Sequence, residues 1–171
     1  MNKENSVVIV SAKRSPIGSF QGAISSISAP KLGSLIISNI LEETTVDPFL
    51  VDEIIMGNVL SAGIGQAPAR QAAIGAGMPD SVECLTINKM CGSGLKAVML
   101  GSQAIQVNDA NIIIAGGFES MSQSPYLVPK ARAGYRLGHG NLIDSVIFDG
   151  LWDVYNDIHM GNCAEICARD R

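Results

Sequence analysis

Four short apolar runs, at residues 7–10, 53–59, 82–87 and 112–115, alternate with segments whose apolar positions recur at helical spacing. Val7-Val8-Ile9-Val10 is a continuous β-branched run, the signature of a strand buried on both faces. It ends in Ser11-Ala12-Lys13-Arg14-Ser15-Pro16-Ile17-Gly18, where Pro and Gly demand a loop. Ser28 then stands at a helix cap with Pro30 in the first turn, and Leu32, Leu35, Ile36 and Ile40 fall on one face. The second run enters the glycine loop Ala62-Gly63-Ile64-Gly65, and an alanine-rich helix over 66–76 stops at Gly77 and Pro79. After the third run, Leu95, Val98, Met99 and Ile105 mark a helical stripe that Asn108-Asp109 breaks. The order β-α-β-α-β-α-β predicts an α/β fold, a mostly parallel sheet with helices on both faces. In such sheets ligands collect at the carboxyl ends of the strands.

The third run leads into Cys91. Two glycines, Gly92 and Gly94, then open the next helix, so the cysteine sits on a tight strand-to-helix turn. A thiol there feels the positive end of the helix dipole, and such placement can lower a cysteine pKa from about 8.5 to roughly 3.5–7.5. An isolated cysteine is more often a buried structural thiol; the turn brings the two readings level. Cys84 lies within a strand and reads as core, while Cys163 and Cys167, four apart on a helix, read as packing rather than as a pair of metal ligands. With no CxxC pair, the four cysteines are expected to be free thiols of a reducing compartment.

Charged residues make up only 16% of the chain and the net charge is −4, which suits a protein with a large buried interface and gives no footprint for nucleic acid. No apolar run approaches a membrane span and the first residues lack a signal-peptide core, so the expected location is cytoplasmic, with no membrane partner. After Ser122 the character changes: Pro125, Pro129, Gly134, Gly138 and Gly140 interrupt a stretch carrying Lys130, Arg132, Arg136 and His139. The expected division is one domain over 1–122 and the start of another over 123–171. A weak helical pattern covers 142–152, and a helix begins near Asn162. Gly116 and Gly117 follow a strand without GxGxxG, which argues for close backbone packing rather than a dinucleotide site.

Asn88-Lys89-Met90-Cys91-Gly92-Ser93-Gly94-Leu95-Lys96-Ala97 resembles the nucleophile motif of the thiolases. The resemblance runs end to end: Arg14-Ser15-Pro16-Ile17-Gly18, Met56-Gly57-Asn58-Val59-Leu60, Gly65-Gln66-Ala67-Pro68-Ala69-Arg70-Gln71, Gly116-Gly117-Phe118-Glu119-Ser120-Met121-Ser122 and His159-Met160-Gly161 keep the family's order and spacing. It implies a thiolase-like layered fold and an acyltransferase in which Cys91 takes an acyl group from acyl-CoA. A second acetyl-CoA then attacks that group, or thiolysis runs in reverse. It implies acetyl-CoA or acetoacetyl-CoA as substrate, no separate cofactor because coenzyme A arrives with the substrate, no metal, and a homodimer or homotetramer. Leu151, His159 and Met160 match positions that contact the pantetheine and thioester end. Asp149-Gly150-Leu151 with Tyr155-Asn156 is similar to the acetoacetyl-CoA branch, which implies a short acyl chain.

The family's pattern also contains motifs absent here. Its histidine lies in Gly-His-Pro and its second cysteine in Cys-x-Gly; Gly138-His139-Gly140 is not the first, and neither Cys163 nor Cys167 begins the second. A fifth, antiparallel strand that closes the sheet is likewise missing. The expectation is therefore an incomplete thiolase fold lacking the fifth strand and the second half, a chain inactive alone. A ketoacyl-synthase-like condensing enzyme and a non-catalytic remnant that binds a partner stay open as alternatives.

Overall fold

The structure is a computed structural model describing residues 6–171. It divides into two compact units, one ending at Gln123 and one over Ser124–Arg171. The first unit is built on three parallel strands, β1 (Glu53–Gly57), β2 (Glu83–Ile87) and β3 (Ile113–Gly117), in the order β2-β1-β3. Helices α1 (Ala29–Thr44), α2 (Pro68–Gly75) and α3 (Ser93–Gln106) connect and cover them.

Side-chain alternation assigns the faces. Ile54 and Met56 of β1 share a buried cluster with Ala29 and Ile37 of α1 and Ala69, Ala72 and Ala73 of α2. Ile112, Ile114 and Cys84 pack against the same cluster. The opposite face carries α3, whose buried residues are Ser93, Ala97 and Gly101. A Cβ built on Gly101 would lie 3.1 Å from Ile113 Cγ2, so the helix rides almost on the sheet. Burying Ile37, Ile54 and Ile55 stabilises the unit by about 1.5–3 kcal/mol each. The α/β class and the helices on both faces are as expected.

Three readings of local structure change. Residues 7–10 form no strand: Val8, Ile9 and Val10 are 70%, 78% and 74% exposed. They line, without ladder pairing, a cleft of about 640 Å³ shared with α1, α3 and the outer edge of β3. A β-branched run gains from a central strand position only when both faces are covered, and here neither is. In α1 the buried row is Ala29, Gly33 and Ile37, whereas Leu35 is exposed; Ser28 sits at the N-cap position without a side-chain cap bond. In α3 Leu95 and Met99 are exposed and Val98 lines the cleft beside residues 7–10, because the close approach to the sheet admits only small side chains.

The second unit pairs β4 (Tyr126–Leu127) with β5 (Ile143–Asp144) and β6 (Trp152–Asp153) with β7 (Ile158–His159), both antiparallel. A single π-helical turn, Val146–Leu151, lies within the stretch of weak helical pattern, and α4 (Met160–Asp170) follows β7. Among the described residues no helix is long and apolar enough to cross a membrane.

Candidate active site

Between Ile87, the last residue of β2, and Ser93, the first of α3, the chain makes a turn with Cys91 exposed on it. The Asn88 side-chain oxygen accepts the Met90 N–H at 2.9 Å, an Asx turn. Met90 adopts φ 50°, a left-handed conformation that costs a non-glycine residue roughly 1–2 kcal/mol. That conformation is held from both sides. The Ser93 hydroxyl donates to the Met90 carbonyl at 2.6 Å and accepts the Lys89 N–H at 2.8 Å, and the Ser93 N–H reaches the same Met90 carbonyl at 3.0 Å. Ser93 is 4% exposed, so its hydroxyl is buried and paired as donor and acceptor. The positive end of α3 adjoins this turn, with no acidic residue in the first turn to neutralise it.

Beneath the turn the strand ends meet. A Cβ built on Gly57 would lie 2.6 Å from the Ser93 carbonyl carbon, and one on Gly117 would lie 3.1 Å from the Gly57 oxygen and 3.3 Å from the Gly94 Cα. A side chain at Gly57 would push α3 off the sheet, and one at Gly117 would require its neighbours to give by a few tenths of an ångström. Polar groups close the same level: Asn58 N–H donates to the Ile87 carbonyl (3.0 Å) and Phe118 N–H to the Gly57 carbonyl (3.0 Å). Asn58 Nδ2 donates to the Phe118 carbonyl at 3.2 Å and to Glu119 Oε1 at 2.6 Å. Glu119 also accepts the backbone N–H groups of Val59 (2.9 Å) and Leu60 (3.0 Å). Burial pushes the Glu119 carboxyl up, and the Val59 and Leu60 amides pull it back only in part.

Leu151, His159 and Met160 belong to the second unit. Trp152 is paired with His159, so Leu151 and Met160, one step beyond on either strand, flank the same end of the β6–β7 hairpin. His159 Nδ1 accepts the Gly161 N–H at 2.9 Å and caps α4, an assignment that puts the ring proton on Nε2. Asp153 ties the hairpin tip by accepting the Tyr155 N–H at 2.9 Å. Cys91 lies in the first unit, on the β2–α3 turn.

Cys84 packs against the core beside Arg70; burial pushes its thiol up, and the guanidinium opposes the shift. Sequence reasoning quoted Asn58, Ser93 and Glu119 within motifs but assigned them no role. Asn58 and Glu119 stand just past the carboxyl ends of β1 and β3, the level at which parallel sheets collect functional groups, and that position was the available signal. Ser93 carried none, since its value lies in a buried hydroxyl bridging a turn.

The family model described as thiolase, N-terminal domain, matches residues 7–171. The chain is 58% identical over 162 residues to an acetyl-CoA acetyltransferase of Pseudomonas aeruginosa, covering 95% of this chain and 41% of that protein. It is 56% identical over 162 residues to acetyl-CoA acetyltransferase 2 of Arabidopsis thaliana, covering 95% and 40%, and 55% identical over 164 residues to the Cupriavidus necator acetyl-CoA acetyltransferase, covering 96% and 42%. The chain thus spans about two fifths of the length of these relatives.

Proposed function

This chain belongs to the thiolase family, matching its N-terminal domain over residues 7–171, and on that premise we propose that it carries the acyl-accepting part of an acetyl-CoA C-acetyltransferase. The observation that carries the reading is the turn itself: an exposed cysteine at the carboxyl end of a parallel strand, against the N-terminus of α3, in a loop over-determined by Asn88 and Ser93. The Cys91 sulfur attacks the thioester carbonyl of an acyl-CoA as the thiolate, its proton having passed to solvent, and collapse of the tetrahedral intermediate breaks the carbon–sulfur bond to coenzyme A, whose thiolate takes up a proton from solvent. An acyl-cysteine remains. The oxyanion needs backbone donors, for which the resemblance supplies the Cys91 N–H as one; losing a donor in such a site costs about 2.7–4 kcal/mol.

Transfer of the acetyl group to the methyl carbon of a second acetyl-CoA, giving acetoacetyl-CoA, completes the proposed reaction; thiolysis is its reverse. Leu151, His159 and Met160 hold the pantetheine arm in this reading, supported by their grouping at one end of the β6–β7 hairpin. The residues that the family uses as base and acid fall in motifs that these 171 residues do not contain, so the chain alone is proposed to turn over no acetoacetyl-CoA. Self-association is part of the proposal, and the exposed Leu95 and Met99 of α3 support it.

Isotopic exchange tests the half-reaction without requiring turnover. Labelled coenzyme A mixed with unlabelled acetyl-CoA and the chain should yield labelled acetyl-CoA, and Cys91→Ala should abolish the exchange. Exchange that survives Cys91→Ala would refute the assignment.

A further inference from the structure

We infer that Glu119 is a positioning residue for Cys91, acting through Asn58 on the strand end from which the nucleophile turn departs; the inference rests on the reading of Cys91 as the nucleophile. The exits of all three strands converge on Asn58. Its backbone N–H holds the Ile87 carbonyl, one residue before the Asn88-to-Gly92 turn, and its side chain holds the Phe118 carbonyl at the exit of β3. Asn58 is 2% exposed, and its Oδ1 is buried with no donor among the described residues.

An unmet buried acceptor costs about 1–3 kcal/mol, so the amide is kept in this orientation by something of at least equal strength. Glu119 supplies it. The 2.6 Å contact from Nδ2 to the carboxylate is charge-assisted, and turning the amide over would set oxygen against oxygen at both Glu119 and the Phe118 carbonyl. The same carboxylate holds the Val59 and Leu60 amides, which otherwise lack a strand partner past the end of β1. One side chain just past the end of β3 therefore sets the path of the chain leaving β1, and through the Asn58 N–H the position of the end of β2. A small shift there moves the sulfur relative to the N-terminus of α3.

Glutamine is nearly isosteric with glutamate but keeps only one acceptor oxygen and no charge, so Glu119→Gln sets donor against donor either at Asn58 Nδ2 and the Leu60 N–H or at the Val59 N–H, and in both orientations the Asn58 contact loses its charge assistance. The test is the iodoacetamide labelling rate of Cys91 relative to that of Cys167, the other exposed cysteine, read by peptide mass spectrometry alongside the melting temperature. The ratio in the unmodified chain tests the nucleophile reading; its change in the variant tests the positioning role. Glu119→Gln should lower the Cys91/Cys167 ratio about fivefold, the size of a first-turn dipole interaction. Asn58→Ala, which cuts the link while leaving Glu119 in place, should lower it similarly and carries the test if the first variant does not fold. A lowered melting temperature with an unchanged ratio would make Glu119 merely structural and overturn the inference. In the unmodified chain, the Val59 and Leu60 amides should exchange hydrogen slowly; exchange at the rate of exposed coil would overturn it as well.

Discussion

Gly57 and Ser93 meet backbone to backbone: a methyl group built on Gly57 lies 2.6 Å from the Ser93 carbonyl carbon and 2.7 Å from the Gly94 nitrogen. Both neighbours are main-chain atoms and cannot rotate away. Alanine in a strand is worth roughly 0.5–1 kcal/mol over glycine, whereas overpacking a tight contact costs about 1–3 kcal/mol, so the clash wins. Gly57→Ala should lower stability by about 1–2 kcal/mol in urea unfolding and displace α3, with loss of coenzyme A exchange at Cys91. Gly77→Ala is a useful contrast: a methyl there meets open space, so any cost it shows is backbone strain at φ 83° and leaves the exchange intact.

The Met90 turn makes a second, opposed pair of expectations. Glycine at a left-handed position removes a strain of about 1–2 kcal/mol and gives back about 0.5–1 kcal/mol in chain entropy, so Met90→Gly should leave the melting temperature unchanged or raise it slightly. Ser93→Ala deletes a buried hydroxyl that serves the Lys89 N–H and the Met90 carbonyl, and should destabilise by about 1–3 kcal/mol. Equal melting temperatures for the two variants would show that the hydroxyl does not hold the turn.

Two carboxylates give stability opposite slopes with pH. Asp52 accepts the Asn111 N–H at 2.6 Å and the Ile112 N–H at 3.0 Å, which hold its pKa below 3.8. Its contribution is present above pH 3.8 and is lost as pH falls through the lower, folded value. Glu119 is shifted the other way by burial, so its contribution is full below pH 4.5 and is lost as pH rises through the raised folded value. Urea midpoints measured from about pH 3 to 7 should therefore lose part of their acid limb in Asp52→Asn, and in Glu119→Gln lose a decline that begins above pH 4.5. Slopes unchanged in both variants would contradict these assignments.

Much of the layering was legible because strand and helix periods differ so plainly: the β-branched Ile54-Ile55 and Ile113-Ile114 pairs lie in strands, and the alanines of α2 pack where small residues belong. Residues 7–10 misled because propensity says nothing of whether a strand has neighbours to cover it. The α3 stripe misled for a related reason. Period picks out a face, but the contact distance decides which face docks, and Gly57, Gly101 and Gly117 demand the small one. The place of Cys91 on a strand-to-helix turn was legible from the apolar run before it and the glycines after it. The Asn58–Glu119 clamp joins residues 61 positions apart, and no local pattern encodes such a bond.

Peptide mapping after exposure to acetyl-CoA tests the central claim most directly. The chain is incubated with acetyl-CoA, quenched in acid, digested and mapped. A single acetyl group, removable by hydroxylamine, is expected on the peptide containing Cys91, with none on those containing Cys84, Cys163 or Cys167. Acetylation of another cysteine in place of Cys91 would contradict the account.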